Sequence, residues 1–394
     1  MKIKKSKLLV KKFSKIFFKK NFFLHEPDIS IREIKEVENC LKINQVSSSG
    51  LYAKKFENKL KKYTKSKFVI PVSSGTAGLH LSLIALSIKK NEEILIPNLN
   101  YIAVANAALY VGAVPHFIDV RKTDLGIDCD KLNNYLLKNT KLKNKECVNI
   151  NTGRKIKAIV PTHTFGLVSD INNINKIAKK FHLKTIEDAA EGLGAFYKGK
   201  HAGTFGVIGI LSFNGNKIVT SGAGGALLTS NNKIASRLRH LSQICKISHP
   251  WNYDYDELGY NYKMPSLNAA LGYAQLQRIN YFLKEKRKLF NLYLKIFSNN
   301  KYAKLIKENI DTKSNYWLIT ILLNDDLKKN KEQIIKLLHA KKIMVRPAWK
   351  LLNKISYLKK FPRMNLSNSA NLFERIINLP SSSNIFMKLK NYNE

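Results

Sequence analysis

A chain of 394 residues with 44% hydrophobic content can build one large core and a smaller second domain. Its formal charge of +40 would suit nucleic acid or a membrane surface, but the lysines are spread over the whole length and no zinc-finger, RNP-like or basic-zipper pattern accompanies them, so the charge reads as a solvated surface with no nucleic-acid partner. Cys40, Cys129, Cys147 and Cys245 form no C-x-x-C pair, which excludes that kind of metal or redox site and fits a reduced, cytoplasmic protein; no apolar run is long enough to cross a bilayer.

Residues 1–24 are expected to form a basic arm. Within its first 21 residues, lysines mix with Leu9, Phe13, Ile16 and Phe17 at helical spacing. Such a pattern can lie weakly on anionic lipid, and a frayed lysine-rich arm would carry it too. Apolar periodicity then predicts helices over 31–41 and 52–63, separated by the polar loop 46–50. A strand over 68–72 runs into Ser73-Ser-Gly-Thr76, which opens a helix to about Ile88. Strand, small polar turn and helix start make an anion site, because free backbone N–H groups converge there. An ordinary capped helix would carry the same residues.

The alternation continues with strands over 93–96, 114–119, 156–161 and 183–186, and with helices ending near Val111 and spanning 170–181. Strands alternating with helices predict an α/β fold whose sheet is mostly parallel and covered on both faces. In such sheets the ligand lies beyond the carboxyl ends of the strands. Ser73 to Thr76, Thr162-His163 and Glu187-Asp188 all fall at such ends, which points to one site. Asp188 follows a buried strand and needs a cationic partner there; a protonated ring nitrogen would serve, as would a cap or salt bridge. Tyr101, just after a strand, either joins the core or shows a flat face to a planar ligand.

Next, two apolar runs, 207–211 and 226–228, bracket a polar turn that holds Ser212, Lys217 and the glycines 222, 224 and 225. A lysine so placed can form a Schiff base when unprotonated, or can simply point to water from a hairpin. A helix to about Leu241 and an aromatic loop over 249–264 follow, the loop long enough to suggest function. Pro265 begins a helical stretch to about Phe297. A strand over 316–323, a helix over 331–340 and the segment Val345 to Leu352 then read as a smaller α+β domain. The expected division is an arm 1–24, a large domain 25–264 and a smaller domain 265–394.

Lysine after a buried strand, an acidic residue at an earlier strand end and a Ser-Gly-Thr helix opening together resemble the fold-type I pyridoxal-phosphate enzymes. More narrowly, the chain resembles the DegT/StrS-type sugar aminotransferases from about His25 to Ser382. Ser212 to Lys217, His249-Pro-Trp251, Gly259 to Pro265, Arg346 to Trp349 and Leu379 to Ser382 look most like the nucleotide-sugar 4-aminotransferases of legionaminic acid and bacillosamine-type pathways. The resemblance implies a large domain with a mixed, mostly parallel sheet, and pyridoxal 5'-phosphate as cofactor. It makes Lys217 the Schiff-base lysine and catalytic base, and pairs Asp188 with the pyridinium nitrogen. It stacks Tyr101 on the ring and sets Glu191 near the ring hydroxyl. Gly75, Thr76 and Ser212 would hold the phosphate, with Asn261 reaching it from the second subunit of a homodimer. The partners so implied are an amino-acid donor, glutamate in this family, and a nucleotide-linked 4-keto-6-deoxy sugar used for surface glycans. No metal is expected. Three positions depart from the usual pattern: Asn100-Tyr101 stands where Thr-Phe is commoner, Ala223 interrupts a glycine run, and Asn353 replaces a frequent histidine. Related sugar dehydratases carry histidine in place of the lysine, so Lys217 argues for amination. A basic membrane- or nucleic-acid-binding protein would explain the charge but not the ordered motifs.

Overall fold

The computed structural model describes residues 2–14, 17 and 21–390. Seven strands make the spine of the large sheet: β1 (Phe68–Val72), β2 (Glu93–Pro97), β3 (Val114–Ile118), β4 (Lys155–Ile159), β5 (Lys184–Asp188), β6 (Ile208–Ser212) and β7 (Gly225–Thr229). Their spatial order is β1-β7-β6-β5-β4-β2-β3, parallel throughout except for β7, which runs antiparallel to both neighbours. The hairpin 140–149, in a lysine- and asparagine-rich stretch with no strand signal, adds two more strands along β4.

Alternation along a strand explains the layering. Ile94 and Ile96 of β2 pack with Leu79, Leu83, Val104 and Ala108 from the helices Gly75–Ala85 and Ala103–Tyr110. Leu95, between them, packs on the other face with Leu132, Leu136, Ile171 and Ile174 of the helices Cys129–Asn139 and Ile171–Lys180. Both faces are therefore covered, and the strands read as unbroken apolar runs for that reason.

Beyond Met264 the expected single helical stretch is two helices, Ser266–Gln277 and Ile279–Phe297. The break falls at Arg278, whose guanidinium bonds Asp28 Oδ1 at 2.8 Å and Glu33 Oε1 at 3.0 Å. A four-stranded antiparallel sheet follows, in the order Ala303–Leu305, Ile319–Leu323, Ile376–Leu379, Arg346–Pro347.

Two expectations are corrected. The strand predicted from Tyr316 begins only at Ile319, because Tyr316 takes a positive φ of 47° and Asn315 ties the preceding stretch into a loop. The apolar stripe of the arm does not face lipid. Lys2–Ser14 is a helix, but Leu9, Val10, Phe13 and Phe17 are buried. The Phe13 ring lies 5.5 Å from Tyr293 and 6.1 Å from Phe297, and Phe17 lies 4.8 Å from Phe22. The chain itself covers the stripe: Phe13 meets the helix 279–297, and the arm's helix packs on the helix Lys331–His339. Ile16, also assigned to it, lies outside the described residues. Among the described residues no helix is long and apolar enough to cross a membrane.

Candidate active site

A cleft of about 320 Å³ opens at the carboxyl ends of β1, β5 and β6. Gly75, Thr76, Tyr101, Asp188, Glu191, Ser212 and Lys217 all line it. The sheet topology thus gathers residues spread over more than a hundred positions of sequence.

Lys217 sits on the turn between β6 and β7. The turn is pinned at its base: the Phe213 N–H donates to Gly224 O at 2.9 Å, Ser221 N–H donates to Phe213 O at 2.9 Å, and the Phe213 ring meets Phe56 edge-on at 5.0 Å. The lysine side chain is only 13% exposed. Its Nζ lies 3.4 Å from Glu191 Oε1 and 3.7 Å from the centre of the Trp317 ring. The reading of a lysine that simply points to water is thereby set aside.

Asp188 ends β5. Burial pushes its carboxyl above the ordinary value, against the pull of the Ala190 N–H, 3.2 Å from Oδ1, and of the Lys217 charge. Glu191 is buried as well and is pushed up to about 7, mainly by loss of water. The Lys217 charge and the Phe165 N–H, which donates to Glu191 Oε2 at 2.7 Å, oppose that rise.

The helix Gly75–Ala85 starts at the cleft wall. Ser74 caps it by accepting from Ala77 N–H at 3.0 Å, and the Gly75 and Thr76 amides, being first-turn groups, have no partner within the helix. β7 passes so close that a Cβ on Gly225 would lie 2.6 Å from the Ser74 carbonyl carbon and 2.7 Å from Gly75 N. Ser212 is close too, its Cβ 3.2 Å from a Cβ placed on Gly75. Tyr101 is 54% exposed at the opposite wall, its ring 6.1 Å from Trp349.

Two predicted positions lie elsewhere. Asn261 is exposed on this chain's surface, beside a groove with Ser48, Ser49, Lys246 and His249. At the end of β4, Thr162 stays beside Asp188, but His163 turns below the sheet. There its Nδ1 accepts the Ser169 N–H at 3.2 Å, which leaves Nε2 to donate to Glu187 at 3.0 Å.

Sequence reasoning missed the contribution of residues 315–317. Trp317 lines the cleft, and its indole N–H donates to Asn216 O at 2.7 Å. The buried Lys286 holds the Trp317 carbonyl at 3.1 Å, and the Asn315 side chain donates to Glu191 O at 2.7 Å and Leu193 O at 2.9 Å. The asparagine before the strand was the available signal, since such side chains commonly bond local backbone in turns. His25 stands beside Trp317, ring centres 6.5 Å apart, with both ring nitrogens buried and unbonded.

A model of the DegT/DnrJ/EryC1/StrS aminotransferase family matches residues 27–388. The chain is 34% identical over 359 residues to the GDP-perosamine synthase of Escherichia coli O157:H7, covering 91% of this chain and 92% of that protein. It is 32% identical over 365 residues to the UDP-4-amino-4,6-dideoxy-N-acetyl-beta-L-altrosamine transaminase of Campylobacter jejuni, covering 92% of each. Among solved structures it is similar to the PLP form of the putative sugar aminotransferase Spr1654 of Streptococcus pneumoniae, with a TM-score of 0.83 at 22% identity, covering 95% of this chain and 98% of that one.

Proposed function

We propose, from the premise that this chain belongs to the DegT/DnrJ/EryC1/StrS aminotransferase family, that it moves the amino group of L-glutamate to carbon 4 of a nucleotide-linked 4-keto-6-deoxy sugar. That it is a pyridoxal-phosphate-dependent sugar aminotransferase follows from the family. The donor, the carbon and the sugar are our reading, supported by the printed names of relatives that make GDP- and UDP-linked amino sugars. The observation that carries it is the placement of Lys217 in one cleft with Asp188 and the start of the helix Gly75–Ala85.

That donor set fits the cofactor. An amine stands ready for the aldehyde, a buried carboxylate lacks a full cationic partner, and first-turn amides with Ser212 suit a phosphate. Pyridoxal phosphate supplies an electron sink for the pair released when a proton leaves the donor carbon. The chain's own groups do the rest. Gly75, Thr76 and Ser212 would hold the phosphate, and Tyr101 would lie against the ring. Asp188 keeps the ring nitrogen protonated. Glu191, now paired with Lys217, is placed for the ring hydroxyl. Lys217, whose amine faces the cleft, would remove the donor proton and later deliver one to the sugar carbon. The donor leaves as its 2-oxo acid before the sugar binds, a ping-pong order.

Asn261 completes the phosphate site of a second copy. Trp251, Tyr253 and Leu258 on the loop 249–264 are 76%, 77% and 78% exposed, an apolar surface suited to a two-fold partner. All four cysteines are free and buried, which supports a cytoplasmic setting. Incubation with glutamate and a panel of nucleotide 4-keto-6-deoxy sugars, followed by mass spectrometry, tests the reading. A new amino sugar is expected from at least one of them, and none from any, with cofactor bound, would end it.

A further inference from the structure

Thr162 is the in-register neighbour of Asp188 across a parallel bridge that extends β4 and β5, so the two side chains leave the sheet on the same face. The Thr162 hydroxyl oxygen accepts a hydrogen bond from Asn100 Nδ2 at 2.8 Å. Asn100 Oδ1 in turn accepts the Tyr101 N–H at 2.7 Å. Donor directions along this chain are fixed from one end. A backbone N–H only donates, so the Asn100 amide must turn its oxygen to Tyr101 and its nitrogen to Thr162. An amide nitrogen also only donates, so the Thr162 proton must point elsewhere, on the face of the sheet that it shares with the Asp188 carboxylate. The Thr162 hydroxyl opposes the rise that burial imposes on Asp188. Asn100, Thr162 and Asp188 are 1%, 3% and 5% exposed, so bulk water does not take over these bonds.

We propose that Asn100 is a positioning residue that aims the Thr162 proton at Asp188, holding that carboxylate ionised and fixing it relative to Tyr101 on the opposite wall. The inference rests on the reading of Asp188 as partner of the ring nitrogen. The other ionisable groups whose charges act on Asp188 are Lys217 and Glu191 in the cleft, and His163 on the other side of the sheet. Their influence does not depend on the Asn100 amide, so it should survive changes there.

The test uses the holoenzyme. Thr162→Val removes the proton at nearly constant volume, and Thr162→Ser keeps it. Asn100→Asp still accepts the Tyr101 N–H but offers Thr162 a carboxylate oxygen, which draws the hydroxyl proton away from Asp188. Thr162→Val and Asn100→Asp should each lower kcat/KM for glutamate about tenfold at pH 6, the worth of one hydrogen bond to a charged group, with the loss shrinking above pH 8. The dissociation constant of pyridoxal phosphate, measured by equilibrium dialysis, should rise by a similar factor. Thr162→Ser should recover the wild-type pH profile, and it carries the comparison if the valine variant does not fold. Because Asn100→Asp also adds a charge, it is repeated on the Thr162→Val background, where its cost should shrink. An equal cost on both backgrounds, or a Thr162→Val loss that is independent of pH, would overturn the proposal. Asp188→Asn separates the two levels. If it leaves both the pH profile and the cofactor constant at wild-type values, the premise about Asp188 fails. If it moves both while Thr162→Val and Asn100→Asp move neither, the relay alone fails.

Discussion

Glu191 is a cleft residue whose charge state is open to pH, with its carboxyl pushed up to about 7 by burial from an ordinary 4.5. The folded chain therefore holds this proton more tightly than the unfolded chain. Its contribution to stability is complete below about pH 4.5 and is lost as the pH rises through about 7. The cofactor-free protein should lose melting temperature across that window, and Glu191→Gln should flatten the slope. Identical slopes in the two proteins would contradict the assignment. Lys217 makes a different demand. Lys217→Ala removes the proton carrier, worth about 10²–10⁴-fold, along with the amine that anchors the cofactor. Turnover should fall to background while the melting temperature of the cofactor-free chain stays close to wild type, because the side chain fills no apolar core. Asp188→Asn should still take up cofactor but turn over far more slowly, since an amide cannot hold a ring nitrogen protonated as a carboxylate does. Multiple turnovers by Lys217→Ala would refute the mechanism.

At the level of elements, the contact between β7 and the start of the helix Gly75–Ala85 sets the shape of the proposed phosphate site. Gly225→Ala would drive a methyl group into the Ser74–Gly75 backbone and push the helix start away from the strand. The expected cost is about 1–3 kcal/mol of stability. Cofactor retention on dialysis should weaken as well, and wild-type retention would show that the close approach serves packing alone. The same elements show what the sequence could tell. Each strand of the spine was legible to within a few residues, because burial on both faces leaves an unbroken apolar run with polar turns at its ends. The hairpin 140–149 was not, since Leu142 is exposed and the segment pairs through its backbone. Lys217, Asp188 and the helix start were legible as strand-end residues. Trp317 was hidden inside an apolar run that read as strand, because the turn that frees it depends on Asn315 reaching the distant carbonyls of Glu191 and Leu193. The arm failed for a related reason: an amphipathic stripe says that something apolar covers it, not what.

For the whole molecule, shared sites make a quantitative demand. If Asn261 acts across a two-fold interface, a chain carrying Lys217→Ala and one carrying Asn261→Ala should complement when mixed and allowed to exchange. Half of the random dimers are mixed and each holds one intact site, so activity should recover to roughly a quarter of wild type. No recovery, or full activity in a species that light scattering shows to be a monomer, would rule out the shared site. The reach of Trp317 and Trp349 into the cleft has a consequence of another kind. The chain has only three tryptophans; Trp317 and Trp349 line the cleft, while Trp251 stands 76% exposed on the loop 249–264. The protein thus carries its own unlabelled lamp at each place of interest. A chromophore seated over Lys217 would quench emission from the first two by energy transfer, and burial of the loop would shift the third to the blue. Trp251→Phe would leave a protein whose fluorescence reports the cleft alone, so occupancy and association can be followed separately in one cuvette.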